Sequence, residues 1–157
     1  MKYAAIQEND YINGEGICVS FWVQGCPHRC EGCHNPSQWE FEEGLELPTD
    51  YKGQIVKAIS ANGITRNFSI LGGEPLCSEN IDLTLDIVTA VRSAYPNIKI
   101  FVWTGYVLEN FTHPLLKELL NKIDVLIDGP FIQSQRDVTL KLRGSTNQRI
   151  LQKGIDF

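Results

Sequence analysis

The chain has 157 residues and a net charge of −5, with 43% hydrophobic and 21% charged residues, which is typical of one globular domain spanning residues 1–157. Excess negative charge argues against a protein that binds nucleic acid through a basic surface. No apolar run reaches the length of a membrane span and the N-terminus lacks the pattern of a secretory signal, so we expect a cytoplasmic protein that binds no membrane.

Apolar strands alternate with amphipathic helices along most of the chain. A short edge strand is predicted at residues 3–7, and a strand rich in β-branched and aromatic residues at 17–23. The later elements are predicted as helices at 49–61, 78–95 and 114–120 and strands at 66–71, 98–103 and 125–127. This order predicts an α/β fold with a mostly parallel sheet, and four strand units make about half of an eight-stranded βα barrel.

Each predicted core strand ends in a distinctive loop. Cysteines follow the first strand, Gly-Gly-Glu-Pro at residues 72–75 follows the second, and Thr104 and Asp128 begin the loops after the third and fourth. In a parallel sheet these ends lie on one edge, where ligands bind. The sequence therefore predicts one site built from four loops.

Three of the five cysteines, Cys26, Cys30 and Cys33, lie within eight residues with Cys-x3-Cys-x2-Cys spacing. They are too crowded for a disulfide framework, and in a reducing compartment they indicate metal or redox chemistry. Structural zinc normally takes four ligands, which Cys77 or a nearby histidine could complete, so zinc stays open as an alternative. An iron–sulfur cube held by three thiolates leaves one iron free for a substrate, and the spacing favours this interpretation.

Two of these motifs carry a resemblance. The cysteine motif at residues 26–33 resembles the signature of the radical S-adenosylmethionine superfamily, and residues 72–75 resemble that superfamily's motif for the methionyl amine. Further motifs lie at residues 13–16, 103–106, 127–129 and 143–149. With them, the chain resembles, from about residue 8 to residue 149, the activating proteins of anaerobic, class III ribonucleotide reductases.

The resemblance implies a [4Fe-4S] cluster ligated by the three cysteines, which are then the metal ligands and the catalytic residues, with S-adenosylmethionine chelating the fourth iron. Glu74 is implied to accept the methionyl amine, while Gly72 and Gly73 allow close backbone approach. Reductive cleavage would give a 5′-deoxyadenosyl radical that abstracts hydrogen from a glycine of the reductase. The implied cofactor-binding residues are Gly32, Cys33, His34, Gly72, Gly73 and Glu74.

Thr104 and Asp128 are further candidates for the cofactor site, because both lie at strand ends that face the expected pocket. They would contact ribose or a monovalent cation, and ordinary turn capping is the alternative. The residue before the third cysteine, commonly aromatic in the superfamily, is Gly32 here. Adenine contacts are therefore expected from the backbone of residues 32–34. Trp39 is a candidate cover over the cluster or, equally, a packing anchor.

Residues 131–157 form a tail that carries five basic and two acidic residues, with a further strand expected at 138–142. One hypothesis is that residues 143–149 dock a partner or hold the cofactor carboxylate; a solvated strand and turn is the alternative. The expected partners are the catalytic subunit of the reductase and a low-potential electron donor such as a flavodoxin. Two competing functions remain, a radical enzyme acting on a small molecule and a zinc or iron–sulfur module without activity.

Overall fold

The computed structural model describes all 157 residues and consists of one seven-stranded sheet with three α-helices. The strands are β1 (Lys2–Asp10), β2 (Cys18–Val23), β3 (Leu45–Glu46), β4 (Asn67–Gly72), β5 (Ile100–Trp103), β6 (Val125–Asp128) and β7 (Arg149–Gln152). The helices are α1 (Tyr51–Ile59), α2 (Ile81–Ala94) and α3 (Leu116–Lys122). No helix combines the length and the hydrophobicity needed to cross a membrane.

The sheet has a parallel centre with antiparallel edges. Its strand order is β3-β1-β2-β4-β5-β6-β7, and the central neighbours β2, β4, β5 and β6 all pair in parallel. Strands β1, β3 and β7 pair antiparallel with their neighbours. The α/β class and the parallel core are thus confirmed, and the carboxyl ends of the four central strands meet at one edge.

Two predictions about the sheet edges are wrong. The first strand runs on to Asp10 and lies inside the sheet, because β3, from a segment expected to be irregular, pairs with its outer side. The strand expected at 138–142 is a loop in which Val138 is 81% exposed. Residues 149–152 instead pair with β6, since this register buries Leu151 in the main core.

All three helices contribute to the main core on one face of the sheet. The strand residues of this core alternate along each strand, as the two-residue period of a strand requires. From β2, β4, β5 and β6 they are Val19, Phe21, Val23, Phe68, Ile70, Ile100, Val102 and Leu126. The helices contribute residues such as Ile55, Ile87 and Leu119, all fully buried, so the amphipathic helical pattern was correctly assigned.

The opposite face of the sheet packs against loops and the tail. Phe101, Val125 and Ile127 form a small second core there with Leu142 of the tail. Gly14 packs closely against the same face. A Cβ atom at this position would lie only 2.6 Å from the Cys18 sulfur. The cysteine loop and the loops that follow β4, β5 and β6 leave the sheet at the carboxyl ends of the strands, between these two layers.

Candidate metal and cofactor site

The three clustered cysteines line one cavity of about 190 Å³ at the carboxyl ends of the central strands. The cavity brings together eight of the ten predicted site residues: Cys26, Cys30, Cys33, His34, Gly72, Gly73, Glu74 and Thr104. This volume is below the roughly 300 Å³ at which small-molecule sites begin. An iron–sulfur cluster and S-adenosylmethionine together would therefore extend beyond the cavity towards its mouth.

Two predicted residues, Gly32 and Asp128, do not line the cavity. Gly32 has a φ of +75°, and a Cβ atom on it would lie 2.9 Å from the side chain of Gln133. Tail residues therefore occupy the space that a larger side chain at position 32 would need. The Asp128 carboxylate is buried and accepts hydrogen bonds from the Arg149 guanidinium at 2.9 and 2.6 Å and from the Leu108 amide at 2.9 Å.

The start of the cysteine loop is held by the segment that follows it. The amide of Gly25 donates to the Gln38 carbonyl at 2.9 Å, and the amide of Cys26 donates to the Trp39 carbonyl at 3.0 Å. Gly25 has a φ of +99°, and a Cβ atom there would lie 2.0 Å from the ring of Phe41. The segment that follows the cysteine loop thus supplies the aromatic and backbone groups that fix the start of the loop.

The glycine pair lets the end of β4 lie directly against the cysteine loop. The Gly73 amide donates to the Val23 carbonyl at 3.0 Å, and the Glu74 amide donates to the Gly25 carbonyl at 2.8 Å. A Cβ atom on Gly73 would lie 2.3 Å from that same Gly25 oxygen. No side chain at position 73 is compatible with this contact, so the glycine is required by the loop itself.

Glu74 connects three loops through a fully buried carboxylate. Oε1 accepts from the Leu76 amide at 2.9 Å and the Thr104 hydroxyl at 2.7 Å. Oε2 accepts from the Gly105 amide and from His28 Nε2, both at 2.7 Å. The carboxylate therefore has two partners on each oxygen, and His28 of the cysteine loop is one of them.

The three cysteine sulfurs of the loop lie in a partly buried environment. Burial raises the pKa of the Cys26 thiol to about 11 and also raises the pKa of Cys30, while backbone amides near both sulfurs oppose the shift. The Asn35 amide donates to the Cys33 sulfur at 3.3 Å. Amides directed at these sulfurs suit thiolate ligands, and binding of a cluster would displace the thiol protons.

The site does not assemble a centre for a single ion. No three His, Cys, Asp or Glu side chains approach closely enough to hold one metal ion. A four-iron cluster does not need such convergence, since each thiolate binds a different iron. The three thiols that line the cavity therefore fit a cluster, in which each would bind a separate iron.

Two basic residues of the tail, Arg143 and Arg149, make internal contacts. Arg149 forms ion pairs with Asp128 and Glu109, at 2.6 and 2.7 Å, and Arg143 donates to the Gln148 carbonyl at 2.5 Å. The Gln148 side-chain oxygen accepts a hydrogen bond from the Gly144 amide at 2.9 Å. The motif at residues 143–149 is thus a hydrogen-bonded turn that closes one side of the cavity.

Several cavity residues were not assigned to the site from sequence. They are His28, Asn35, Leu71, Trp103, Gly105, Gly129, Phe131 and Gln148. Trp103, Gly105 and Gly129 belong to the strand-end motifs, which was a usable signal. Gln148 belongs to the motif at residues 143–149, which was also a usable signal, whereas Phe131, three residues after the end of β6, gave none.

The fold and the cavity define a single-cluster iron–sulfur protein: a family model described as "4Fe-4S single cluster domain" matches residues 12–151. The chain is 39% identical over 151 residues to the anaerobic ribonucleoside-triphosphate reductase-activating protein of Haemophilus influenzae, covering 96% of this chain and 97% of that protein. Proteins of the same name from Escherichia coli K12 and Enterobacteria phage T4 are 35% and 34% identical, over 94% and 96% of this chain and 96% and 93% of theirs. The chain belongs to this family of activating proteins, which confirms the resemblance found in the sequence.

Proposed function

We propose that the chain is the glycyl-radical activating enzyme of an anaerobic ribonucleotide reductase. The observation that carries the proposal is the meeting of the three thiols with the Gly-Gly-Glu end of β4 in one cavity. When bound, a reduced [4Fe-4S] cluster would supply the electron that splits S-adenosylmethionine into methionine and a 5′-deoxyadenosyl radical. The radical would take a hydrogen atom from a glycine of the reductase, which would give 5′-deoxyadenosine and a glycyl radical on the partner.

The chain's own residues hold and orient the reactants. Cys26, Cys30 and Cys33 would each ligate one iron, and the loop amides stabilise the thiolates. Gly72 and Gly73 give the cofactor access to the backbone at the end of β4. Because a hydroxyl and an imidazole supply two of the four hydrogen bonds to Glu74, a methionyl amine that binds this carboxylate must displace Thr104 or His28.

The nucleoside part of the cofactor is assigned to the backbone of residues 32–34, beside the cavity. His34 lines the cavity, and its ring packs against Phe131 with the centroids 5.5 Å apart. The Thr104 hydroxyl donates to Glu74 and accepts from the Tyr106 amide, which leaves it one lone pair to accept a hydrogen bond from the cofactor. The contacts of Asp128 support turn capping, because its oxygens already bind Arg149 and Leu108.

A protein substrate suits the open architecture. We propose that the sheet is half of a βα barrel, which cannot by itself exclude water from a radical, so that a docked reductase subunit closes it. The relatives are named for activating such a reductase. A low-potential donor such as a flavodoxin would reduce the cluster, and the setting would be the cytoplasm.

Anaerobic reconstitution tests the proposal. The protein should bind iron and sulfide with a broad brown absorbance and should form methionine from S-adenosylmethionine when a reductant is added. Adding a class III reductase should then give a glycyl radical signal by electron paramagnetic resonance. A colourless protein holding one zinc would overturn the proposal, and methionine formation without a radical on the reductase would indicate a small-molecule substrate.

A further inference from the structure

A second cavity, which we call the α3 groove, lies in the helix layer of the molecule. It has a volume of about 410 Å³ and is bounded by residues 111–113, by α3 and by the C-terminal segment 153–157. None of its lining residues belongs to the cavity that the three thiols line. The α3 groove is therefore a separate opening on the surface.

The floor of the α3 groove is apolar. Phe111, Leu116, Leu120 and Phe157 line it, and each is only partly buried against the main core. A hydrogen bond of 2.9 Å from the Gly154 amide to the Phe157 main-chain oxygen holds the last of these residues in place. A concave apolar surface with a polar rim is typical of a site that receives a side chain of a protein partner.

The charged side chains that line the α3 groove are both basic. They are Lys117 and Lys153, and no aspartate or glutamate is among the lining residues. The neighbouring carboxylates have other contacts, since Glu118 pairs with Lys122 at 3.4 Å and Asp156 accepts from a backbone amide at 2.8 Å. Because the whole chain carries a net charge of −5, this positive rim is a local exception, and it is complementary to an acidic partner.

A row of aromatic rings connects the α3 groove to the cysteine loop. Phe111 of the groove stacks on Tyr106 with the ring centroids 4.4 Å apart. Tyr106 in turn contacts the ring of His28 edge-on, with the centroids 4.5 Å apart. His28 lies between the first two cysteines of the loop, so a partner seated on Phe111 comes within two rings of the loop that would hold the cluster.

We propose that the α3 groove is the docking site of the electron donor, an acidic flavoprotein that places an apolar side chain on the groove floor and carboxylates beside Lys117 and Lys153. This inference rests on the proposed function, because it requires a cluster that is reduced. In that step the reduced flavin of the donor gives up one electron and the oxidised cluster takes it up. No bond forms or breaks in this chain.

The position of the α3 groove favours the electron donor over the reductase as its occupant. The glycine of the reductase must reach the thiol-lined cavity, where Trp103 packs against the second core. The floor of the α3 groove packs against the main core, on the other face of the sheet. A protein bound there needs only to come close to the cysteine loop to deliver an electron, and it leaves the cavity mouth free for the reductase.

The test compares Lys117→Glu with Lys57→Glu. Both lysines are exposed on a helix and both substitutions change the net charge equally, but Lys57 lies on α1, outside the α3 groove. The dissociation constant of a flavodoxin is measured by titration calorimetry at low ionic strength, with cluster-loaded and with cluster-free protein. Lys117→Glu should raise this constant about tenfold in both forms, and the effect should shrink at high salt.

The rate of cluster reduction separates docking from damage to the cluster site. With reduced flavodoxin at a concentration below its dissociation constant, the cluster of Lys117→Glu should be reduced about tenfold more slowly than that of the wild-type protein. With dithionite, a small reductant that needs no docking site, the two proteins should react at the same rate. Lys57→Glu should match the wild-type protein in every measurement.

Three results would overturn the docking site: unchanged flavodoxin binding by Lys117→Glu, an equal loss of binding by Lys57→Glu, or weaker binding of a class III reductase, instead of flavodoxin, by Lys117→Glu. The last result would assign the α3 groove to the reductase. A wild-type protein that takes up no iron and sulfide would contradict the proposed function itself, whatever the binding of flavodoxin to the cluster-free protein.

Discussion

His28 Nε2 lies 2.7 Å from Glu74 Oε2, and this contact joins the middle of the cysteine loop to the end of β4. The histidine side chain is 18% exposed and the glutamate side chain 1% exposed. Because a carboxylate has no proton to donate, the histidine must be the donor. The two motifs recognised in the sequence are therefore bonded to each other through a histidine that lies between the first two cysteines.

Glu74→Gln should destabilise the protein even without a cluster. The two oxygens accept from the amides of Leu76 and Gly105, so either orientation of the new amide leaves one backbone N–H facing an NH2 group. We expect a loss of about 2 kcal/mol in the free energy of unfolding, measured by urea denaturation. The exposed substitution Glu42→Gln should change it by no more than about 0.5 kcal/mol. If the two variants unfolded at the same urea concentration, the buried hydrogen-bond network around Glu74 would be contradicted.

Replacing any of the three loop cysteines should abolish the cluster. Cys30→Ala removes one ligand from a site with no spare thiol, so iron and sulfide bound after anaerobic reconstitution should fall to background. Cys18→Ala is the control, since Cys18 is fully buried in β2 and lies outside the cavity lining. Iron retained by Cys30→Ala at the level of the wild-type protein would show that the thiols are not the ligands.

Gly25→Ala should destabilise the protein more than Gly63→Ala. Both glycines have positive φ, +99° and +73°, so an added methyl group is strained in either case. A Cβ atom at position 25 would also overlap the Phe41 ring at 2.0 Å, whereas nothing lies within 4 Å of one at position 63. Urea denaturation should show a further loss of about 1–3 kcal/mol for Gly25→Ala. If both variants lost a similar amount of unfolding free energy, the Phe41 ring would have to move aside at little cost.

Arg149→Gln should lower stability because it leaves the buried Asp128 carboxylate without its cation. Arg149 is itself 41% exposed on its side chain, so screening limits the expected loss to about 1–3 kcal/mol. Glu109→Gln removes only the outer partner, which is 64% exposed, and should change stability less than Arg149→Gln does. Thermal unfolding of both variants provides the measurement. If Arg149→Gln lost reductase binding but no stability, the docking hypothesis for the tail would be favoured.

Tyr51 should retain its proton to high pH in the folded protein. Burial, helped by a 2.5 Å hydrogen bond to Asp86, raises its pKa from 10.0 to about 12. Because the folded-state pKa is the higher one, Tyr51 stabilises the fold below pH 10, and this contribution disappears as the pH rises towards 12. Wild-type protein should therefore lose stability over this interval more steeply than Tyr51→Phe. If the free energies of unfolding of the two proteins changed in parallel with pH, the raised pKa of Tyr51 would be excluded.

The hydrophobic periodicity of the sequence and its turn residues predicted most of the fold. The apolar pattern identified the four central strands and three helices within a few residues, because a parallel strand covered on both faces is apolar almost throughout. The edges were predicted less well. An edge strand depends on whether a neighbour offers a free backbone ladder, which local sequence does not record, and so β3 and β7 were missed.

The sequence alone indicated an iron–sulfur protein and its family, since three thiols at this spacing and the glycine-rich loop are local patterns. Only the tertiary structure decided the partners of these groups. It paired Glu74 with His28, bound Asp128 to Arg149, packed Gln133 against Gly32, and left the Trp39 indole without an acceptor. The reason is physical: hydrogen bonds in a buried site join residues far apart in the chain, and burial decides which polar groups must be paired.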